Sequence, residues 1–265
     1  MSWGSPPQLI ALDIDGTIMN GFRTMTDRAA AAVRNAVAAG AHVVLATGRP
    51  VVSTLPVLEQ LGLTTGNVLC SNGAVRMDVA SGEFLAVHRF DAAPMVHRLV
   101  ELLPGVLFAT ERPGLENHVT GPFPLAEVAA DLMVDHVTLV AEPISRLTVY
   151  WPERTADELI ARLLSERFAG TACTFDQGAP YLIAVRDGVS KGSALEDLRV
   201  ELGIPADATL AVGDGGNDIE MLRWAAHGVA MGHAPDEVKA AAGEVTGTVH
   251  EDGLATVLER WFGER

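Results

Sequence analysis

The stretch from Gln8 to Cys70 alternates short apolar runs with helix-like segments, and this rhythm constrains the fold more than any other feature. Gln8 to Leu12 reads as a buried strand with Asp13 at its C-terminal tip. Thr26 is placed to cap an alanine-rich helix through Ala39, closed by Gly40. His42 to Ala46 is a second apolar run, ending in Thr47-Gly48-Arg49-Pro50. A helix is expected to about Leu61, stopped by Gly62, and Asn67 to Cys70 reads as a third strand, ending in Ser71-Asn72-Gly73-Ala74. Strand, helix, strand, helix, strand predicts an α/β chain whose parallel sheet is wound with helices.

After Ala74 the rhythm changes. Val75 to Phe90 reads as a hairpin turning at Ser81-Gly82. From about Asp91 to Tyr181 the patterns are broken by prolines and glycines, with strands expected at Arg146–Trp151 and Thr171–Phe175 around a helix near Glu153–Phe168. This stretch is expected to form a second domain inserted into the first. The winding resumes near Asp187: Ser190 caps a helix to about Leu202, Thr209–Val212 is a strand ending in Gly213-Asp214-Gly215-Gly216-Asn217-Asp218, a helix runs to Ala226, and Gly228–Met231 is a last short strand. His250–Phe262 reads as an amphipathic helix.

Composition narrows the function classes. Of 265 residues 48% are hydrophobic, enough for a sizeable core, and disorder is not expected. The formal net charge of -15 repels polyanions, which argues against nucleic-acid or anionic-membrane binding while leaving room for a local phosphate or cation site. Two cysteines, Cys70 and Cys173, outside any CxxC or Cys/His cluster argue against zinc and read as reduced thiols. Met1–Pro7 has no basic start, and no apolar run reaches the ~20 residues that span a bilayer, so a cytoplasmic protein is expected.

The polar residues cluster at the strand ends: Asp13, Asp15, Thr47, Asn72 and Asp214. In a wound parallel sheet, ligands bind beyond those ends. Asp13 and Asp15 are two apart on an extended segment and so face one side. Their mutual repulsion is relieved by a cation such as Mg²⁺, or used as a division of labour between nucleophile and proton shuttle. The competing reading is a turn; a calcium loop is excluded because no glutamate follows at the required position. The run from Gly213 to Asp218 can hold a metal through Asp214, with Asn217 and Asp218 holding the ligand shell or positioning a lysine; the alternative is a glycine-rich turn. Lys191, in the first turn of a helix, works against the helix dipole, which suits a phosphoryl-neutralising charge as well as a solvated surface lysine. Thr47 can offer its hydroxyl to phosphate oxygens or end the strand as a cap. Arg49 can face substrate or make a structural ion pair.

Taken in order, these motifs resemble the haloacid dehalogenase superfamily and, within it, the Cof-type sugar-phosphatase branch. Asp13-Ile14-Asp15-Gly16-Thr17 is similar to the first family motif, Thr47-Gly48-Arg49 to the second, Lys191-Gly192 to the third and Gly213–Asp218 to the fourth; Ser71-Asn72-Gly73-Ala74 is similar to the Cof-type run. The resemblance implies a Rossmann-like core, residues 1–82 and 186–265, with an inserted α/β cap, residues 83–185, that sets substrate specificity. It implies Mg²⁺-dependent hydrolysis of a small phosphate monoester, a sugar phosphate or similar metabolite, through an aspartyl-phosphate on Asp13, with Asp15 as general acid/base. Mg²⁺ is expected on the Asp13 side chain, the Asp15 carbonyl and Asp214, with Asp218 close by, and phosphate on Thr47, Gly48, Lys191 and Asn217.

Two positions depart from the family pattern. His233, in Met231-Gly232-His233-Ala234, stands where the family usually reads asparagine and is read as a harmless replacement rather than a new proton-transfer residue; Ile183 stands where many relatives carry glutamate. In the insert, Arg112, Glu116, Asn117, His118 and Arg186 are polar candidates for substrate contact or for a solvated surface. The alternatives to a phosphatase are a phosphotransferase or phosphomutase of the same superfamily, and a non-enzymatic phospholigand-binding protein. A monomer or homodimer, with no nucleic-acid or membrane partner, is expected.

Overall fold

The computed structural model describes residues 4–21, 24–113, 117–123, 132–176 and 178–263. The first half of the winding is β1 (Leu9–Leu12), α1 (Asp27–Ala38), β2 (His42–Ala46), α2 (Val51–Leu61) and β3 (Asn67–Cys70), followed by the hairpin β4 (Val75–Asp78) and β5 (Phe84–Val87). The chain then runs through α3 (Ala93–Leu102), β6 (Leu107–Glu111), β7 (His118–Val119), β8 (Leu132–Met133), α4 (His136–Leu139), β9 (Arg146–Tyr150), α5 (Ala156–Leu163), β10 (Thr171–Phe175) and β11 (Tyr181–Arg186). The winding is completed by α6 (Lys191–Glu201), β12 (Thr209–Gly213), α7 (Ile219–Trp224), β13 (His227–Ala230), α8 (Asp236–Ala241), β14 (Glu244–Val245) and α9 (Gly253–Phe262).

The first sheet has the order β14-β13-β12-β1-β2-β3-β4-β5, parallel from β14 to β3 and antiparallel at β4 and β5. Its central strands are apolar throughout because both faces are covered. Ile10 and Leu12 of β1 point into a core shared with α1, α2 and α9, whereas Leu9 and Ala11 point into a core shared with α6, α7 and α8. Each fully buried aliphatic side chain contributes roughly 1.5–3 kcal/mol, so this two-sided burial fixes β1, and Asp13 after it, at the centre of the sheet. The caps follow the local chemistry. Thr26 accepts from the Ala29 amide to start α1, and Gly62 closes α2 in the left-handed conformation.

The second sheet, β10-β11-β9-β6-β7-β8, is antiparallel apart from β7 and β8, and has its own core beneath α3 and α5. The expected start of the insert at residue 83 falls in the β4–β5 turn. β5 stays with the first sheet because its backbone completes the β4 ladder, and the chain departs after His88, whose amide still bonds the Ala74 carbonyl at 2.8 Å. Cys70 and Cys173 are free thiols. Among the described residues no helix is long and apolar enough to cross a membrane.

Candidate active site

Asp13, Thr47, Asn72 and Asp214, which follow four different strands, converge at one edge of the first sheet. Lys191 begins α6 behind a Ser190 cap that accepts from the Ser193 amide. Its side chain is fully buried, which rules out the solvated surface lysine. Its Nζ donates to Asp13 Oδ1 and to Asp218 Oδ1, each at 2.6 Å. Burial alone would depress this amine, yet the two carboxylates hold it above the ordinary lysine value and it stays charged. Asp13 is pushed well above the ordinary carboxylate range by its burial, against the pull of Lys191 and with repulsion from Asp218, Asp214 and Asp15 adding to it.

Asp218 is fully buried, and its second oxygen accepts from the backbone amides of Asp214 and Gly215, both at 2.9 Å. Its carboxylate therefore anchors Lys191 and shapes the turn after β12. Asp214 accepts from the Thr17 hydroxyl at 3.2 Å, and burial and Asp218 push its carboxyl up to about 6. The nearest carboxylate oxygens of Asp13, Asp214 and Asp218 lie within 4.8 Å of one another. Gly16 has φ +86°, and a Cβ there would collide with the Asp214 carboxylate, so the glycine is required for the two acidic motifs to approach. Carboxylate oxygens crowded in this way fit a hard divalent cation.

Asp15 lines the same cavity as Asp13 but is exposed where Asp13 is buried. Arg49 grips it through Nε at 2.7 Å and Nη2 at 2.5 Å and itself lines the cavity, so it makes an ion pair within the site and faces the cavity as well. The Thr47 hydroxyl accepts from the Arg49 amide at 3.1 Å, and Asn217 Nδ2 donates to Asn72 Oδ1 at 2.9 Å. Gly48 lies under both amides, where a Cβ would come within 3.2 Å of each. His233 Nε2 is 3.4 Å from Asp214 Oδ2, so the departure from the family asparagine abuts the acidic cluster.

Of these residues Asp13, Asp15, Gly16, Thr47, Gly48, Arg49 and Asn217 floor a cavity of roughly 410 Å³ between the two sheets. Its far wall is Arg146 and Thr148 of β9, Tyr181 and Ile183 of β11, and Asp176 and Ala179 from the β10–β11 connection. The anticipated polar contacts of the insert are elsewhere: Arg112 pairs with Glu142 at 2.9 Å and with His118 at 3.0 Å, and Asn117 accepts from the Arg112 amide. Arg186 lies exposed at the end of β11, and Glu116 falls outside the described residues. Ile183 does line the cavity. The period-two alternation of β9 separates the two faces, Leu147 and Val149 being core while Arg146 and Thr148 face the cavity, but marks only which face is polar.

A model of haloacid dehalogenase-like hydrolases matches residues 10–105 and 131–258. The chain belongs to that family. This hydrolase is 29% identical over 269 residues to the pyridoxal phosphate phosphatase YbhA of Escherichia coli, covering 95% of the present chain and 97% of the relative. It is 28% identical over 279 residues to the 5-amino-6-(5-phospho-D-ribitylamino)uracil phosphatase YitU of Bacillus subtilis, with 97% and 98% covered. A solved haloacid dehalogenase-like hydrolase from Bacteroides thetaiotaomicron superposes with a TM-score of 0.82 at 26% identity, over 97% of this chain and 100% of that one. The hydrolase is thus a phosphatase of this family, on the Cof-type side that its motifs resemble.

Proposed function

We propose that the hydrolase cleaves a small phosphate monoester through a covalent phosphoryl-Asp13, with Asp15 moving the protons and Mg²⁺ held by the Asp13 side chain, the Asp15 backbone carbonyl and Asp214. The observation that carries this reading is the buried Asp13–Lys191–Asp218 chain beneath a cavity whose mouth holds Asp15. Lys191 fixes the Asp13 carboxylate for attack on phosphorus and, with the Thr47 hydroxyl, the Gly48 backbone and the Asn217 amide, offers positive charge to the phosphoryl oxygens. As the bond from phosphorus to the leaving oxygen breaks, Asp15 gives that oxygen a proton. Asp15 then takes a proton from the water that cleaves the phosphoryl-Asp13, releasing phosphate and restoring the Asp13 carboxylate and the protonated Asp15. Bound Mg²⁺ supplies charge neutralisation among the carboxylates and the phosphoryl group. Asp218, with three donors on its carboxylate, acts by positioning Lys191.

The cavity suits an organic phosphate of metabolite size, such as a sugar phosphate or a phosphorylated cofactor. Its wall mixes Arg146, Asp176 and Thr148 with Tyr181 and Ile183, so a leaving group with both hydroxyl and apolar faces is matched. The substrates named for the two relatives are of this kind. A cytoplasmic enzyme acting as a monomer or homodimer fits this reading. Asp13→Asn tests it: phosphate release from an aryl phosphate with Mg²⁺ should fall by at least about a thousandfold, and retained turnover defeats the covalent route.

A further inference from the structure

We infer that Glu111, a residue of β6 outside the cavity, is a positioning residue that sets the catalytic loops from the cap side. The inference rests on the phosphatase reading above, but part of its test does not. Glu111 is buried, and its two oxygens cross from the second sheet to the first. Oε1 accepts from the Val51 amide at 2.8 Å, and Oε2 accepts from the Ser71 hydroxyl.

Both contacts meet a local need. Val51 is the first residue of α2, and the preceding Pro50 caps it with no side-chain hydrogen bond. The first-turn amides of a helix lack intrahelical acceptors, and a carboxylate there also meets the positive end of the helix dipole. Ser71 is held at φ 51°, in the left-handed region that disfavours a non-glycine residue. A hydrogen bond from its hydroxyl to a buried carboxylate offsets that cost.

The two loops that Glu111 fastens are the ones the chemistry uses. The Ser71 amide donates to the Arg49 carbonyl at 2.8 Å, and the Asn72 amide donates to the Thr47 carbonyl at 2.9 Å. Arg49 in turn grips Asp15, and Asn72 accepts from Asn217. A single carboxylate from the second sheet therefore joins the helix start beside Thr47 and Arg49 to the turn that carries Asn72. Seating of the second sheet on the first and the shape of the phosphate-facing loops become one event. Cys70, adjoining Ser71, is buried in the core of the first sheet beside this contact: burial pushes its thiol up, and the charge of Glu111 adds to the effect.

The test compares Glu111→Ala, Glu111→Gln and Ser71→Ala in a Cys173→Ser background. Two readouts are taken: steady-state turnover of an aryl phosphate with Mg²⁺, and the rate at which an aromatic disulfide labels Cys70. Glutamine keeps an acceptor for Val51 and lets the Ser71 hydroxyl accept instead. Glu111→Ala is expected to lower kcat about tenfold with KM changed less, because displacement of a loop by a fraction of an ångström is costly in a preorganised site. It should also speed Cys70 labelling by about the same factor. Glu111→Gln should restore both to within about threefold, and Ser71→Ala, which alters only the first-sheet partner, should fall between. Wild-type kcat and wild-type labelling in Glu111→Ala overturn the inference. So does a loss that Glu111→Gln fails to rescue while Ser71→Ala remains unaffected. If the unsubstituted enzyme releases no phosphate, the phosphatase reading fails, and unchanged Cys70 labelling in Glu111→Ala then separately removes the clamp.

Discussion

Lys191 Nζ lies 2.6 Å from Asp13 Oδ1, although 178 positions separate the two residues in the chain. The amine has no exposed surface and serves Asp218 at the same distance, so it is both counter-ion and brace. Replacing it with methionine leaves two buried carboxylates facing each other. Lys191→Met should lose roughly 3–5 kcal/mol of stability in metal-free buffer, read by chemical denaturation, and should recover part of that loss when Mg²⁺ is added.

Asp15 is exposed to the cavity and fixed by Arg49. A proton donor matters most when the leaving oxygen is basic. Asp15→Asn should therefore slow alkyl phosphate hydrolysis by about 10²–10⁴-fold, and an activated aryl phosphate much less. Equal losses on both classes would assign Asp15 a purely structural part.

Gly16 lets the Asp214 carboxylate come against the turn after β1. Gly16→Ala meets both a positive φ and a direct collision with that carboxylate. Mg²⁺ binding measured by calorimetry should weaken at least about tenfold, and the thermal stabilisation by Mg²⁺ should shrink with it. Unaltered Mg²⁺ affinity would move the cation away from Asp214.

Glu196 pairs with Arg199 on its own helix α6, which opens with Lys191, at 2.7 Å, and reaches α7 by accepting from the Trp224 indole at 2.9 Å. The Arg199 and then the Trp224 hydrogen bonds hold its carboxyl down at about 2, below its ordinary 4.5. Because the folded value is the lower one, the stabilisation is present above pH ~4.5 and disappears as the pH falls through ~2. The group is largely exposed, so the amount is at most about 1 kcal/mol. Glu196→Gln should thus lower the melting temperature slightly at neutral pH and have less effect near pH 3, in thermal melts at matched ionic strength.

The wound sheet is legible in the sequence because its strands are apolar on both faces and its helices carry their own punctuation at Thr26, Ser190 and Gly62. The acidic and basic motifs at the strand ends are legible for the same reason, since position at a strand end is a local property. The cap is harder to read. Arg112, Asn117 and Arg186 look as suitable for substrate contact as Arg146 and Tyr181, because a polar residue on an antiparallel strand has the same pattern whether it meets water or a cavity. Glu111 is harder still: its partners, Val51 and Ser71, are far away in sequence, and only the seating of one sheet on the other brings them together. Arg49 is undecidable from its neighbours for the same reason, its partner Asp15 lying in the turn after β1.

The alternation along β9, where Leu147 and Val149 hold the second core while Arg146 and Thr148 face the cavity, has an evolutionary corollary. On the proposed reading, substitutions at the facing positions change what is recognised without touching what keeps the strand in place. Recognition would then drift by point mutation in one sheet while Asp13 and Asp15, carried by the other, stay as they are.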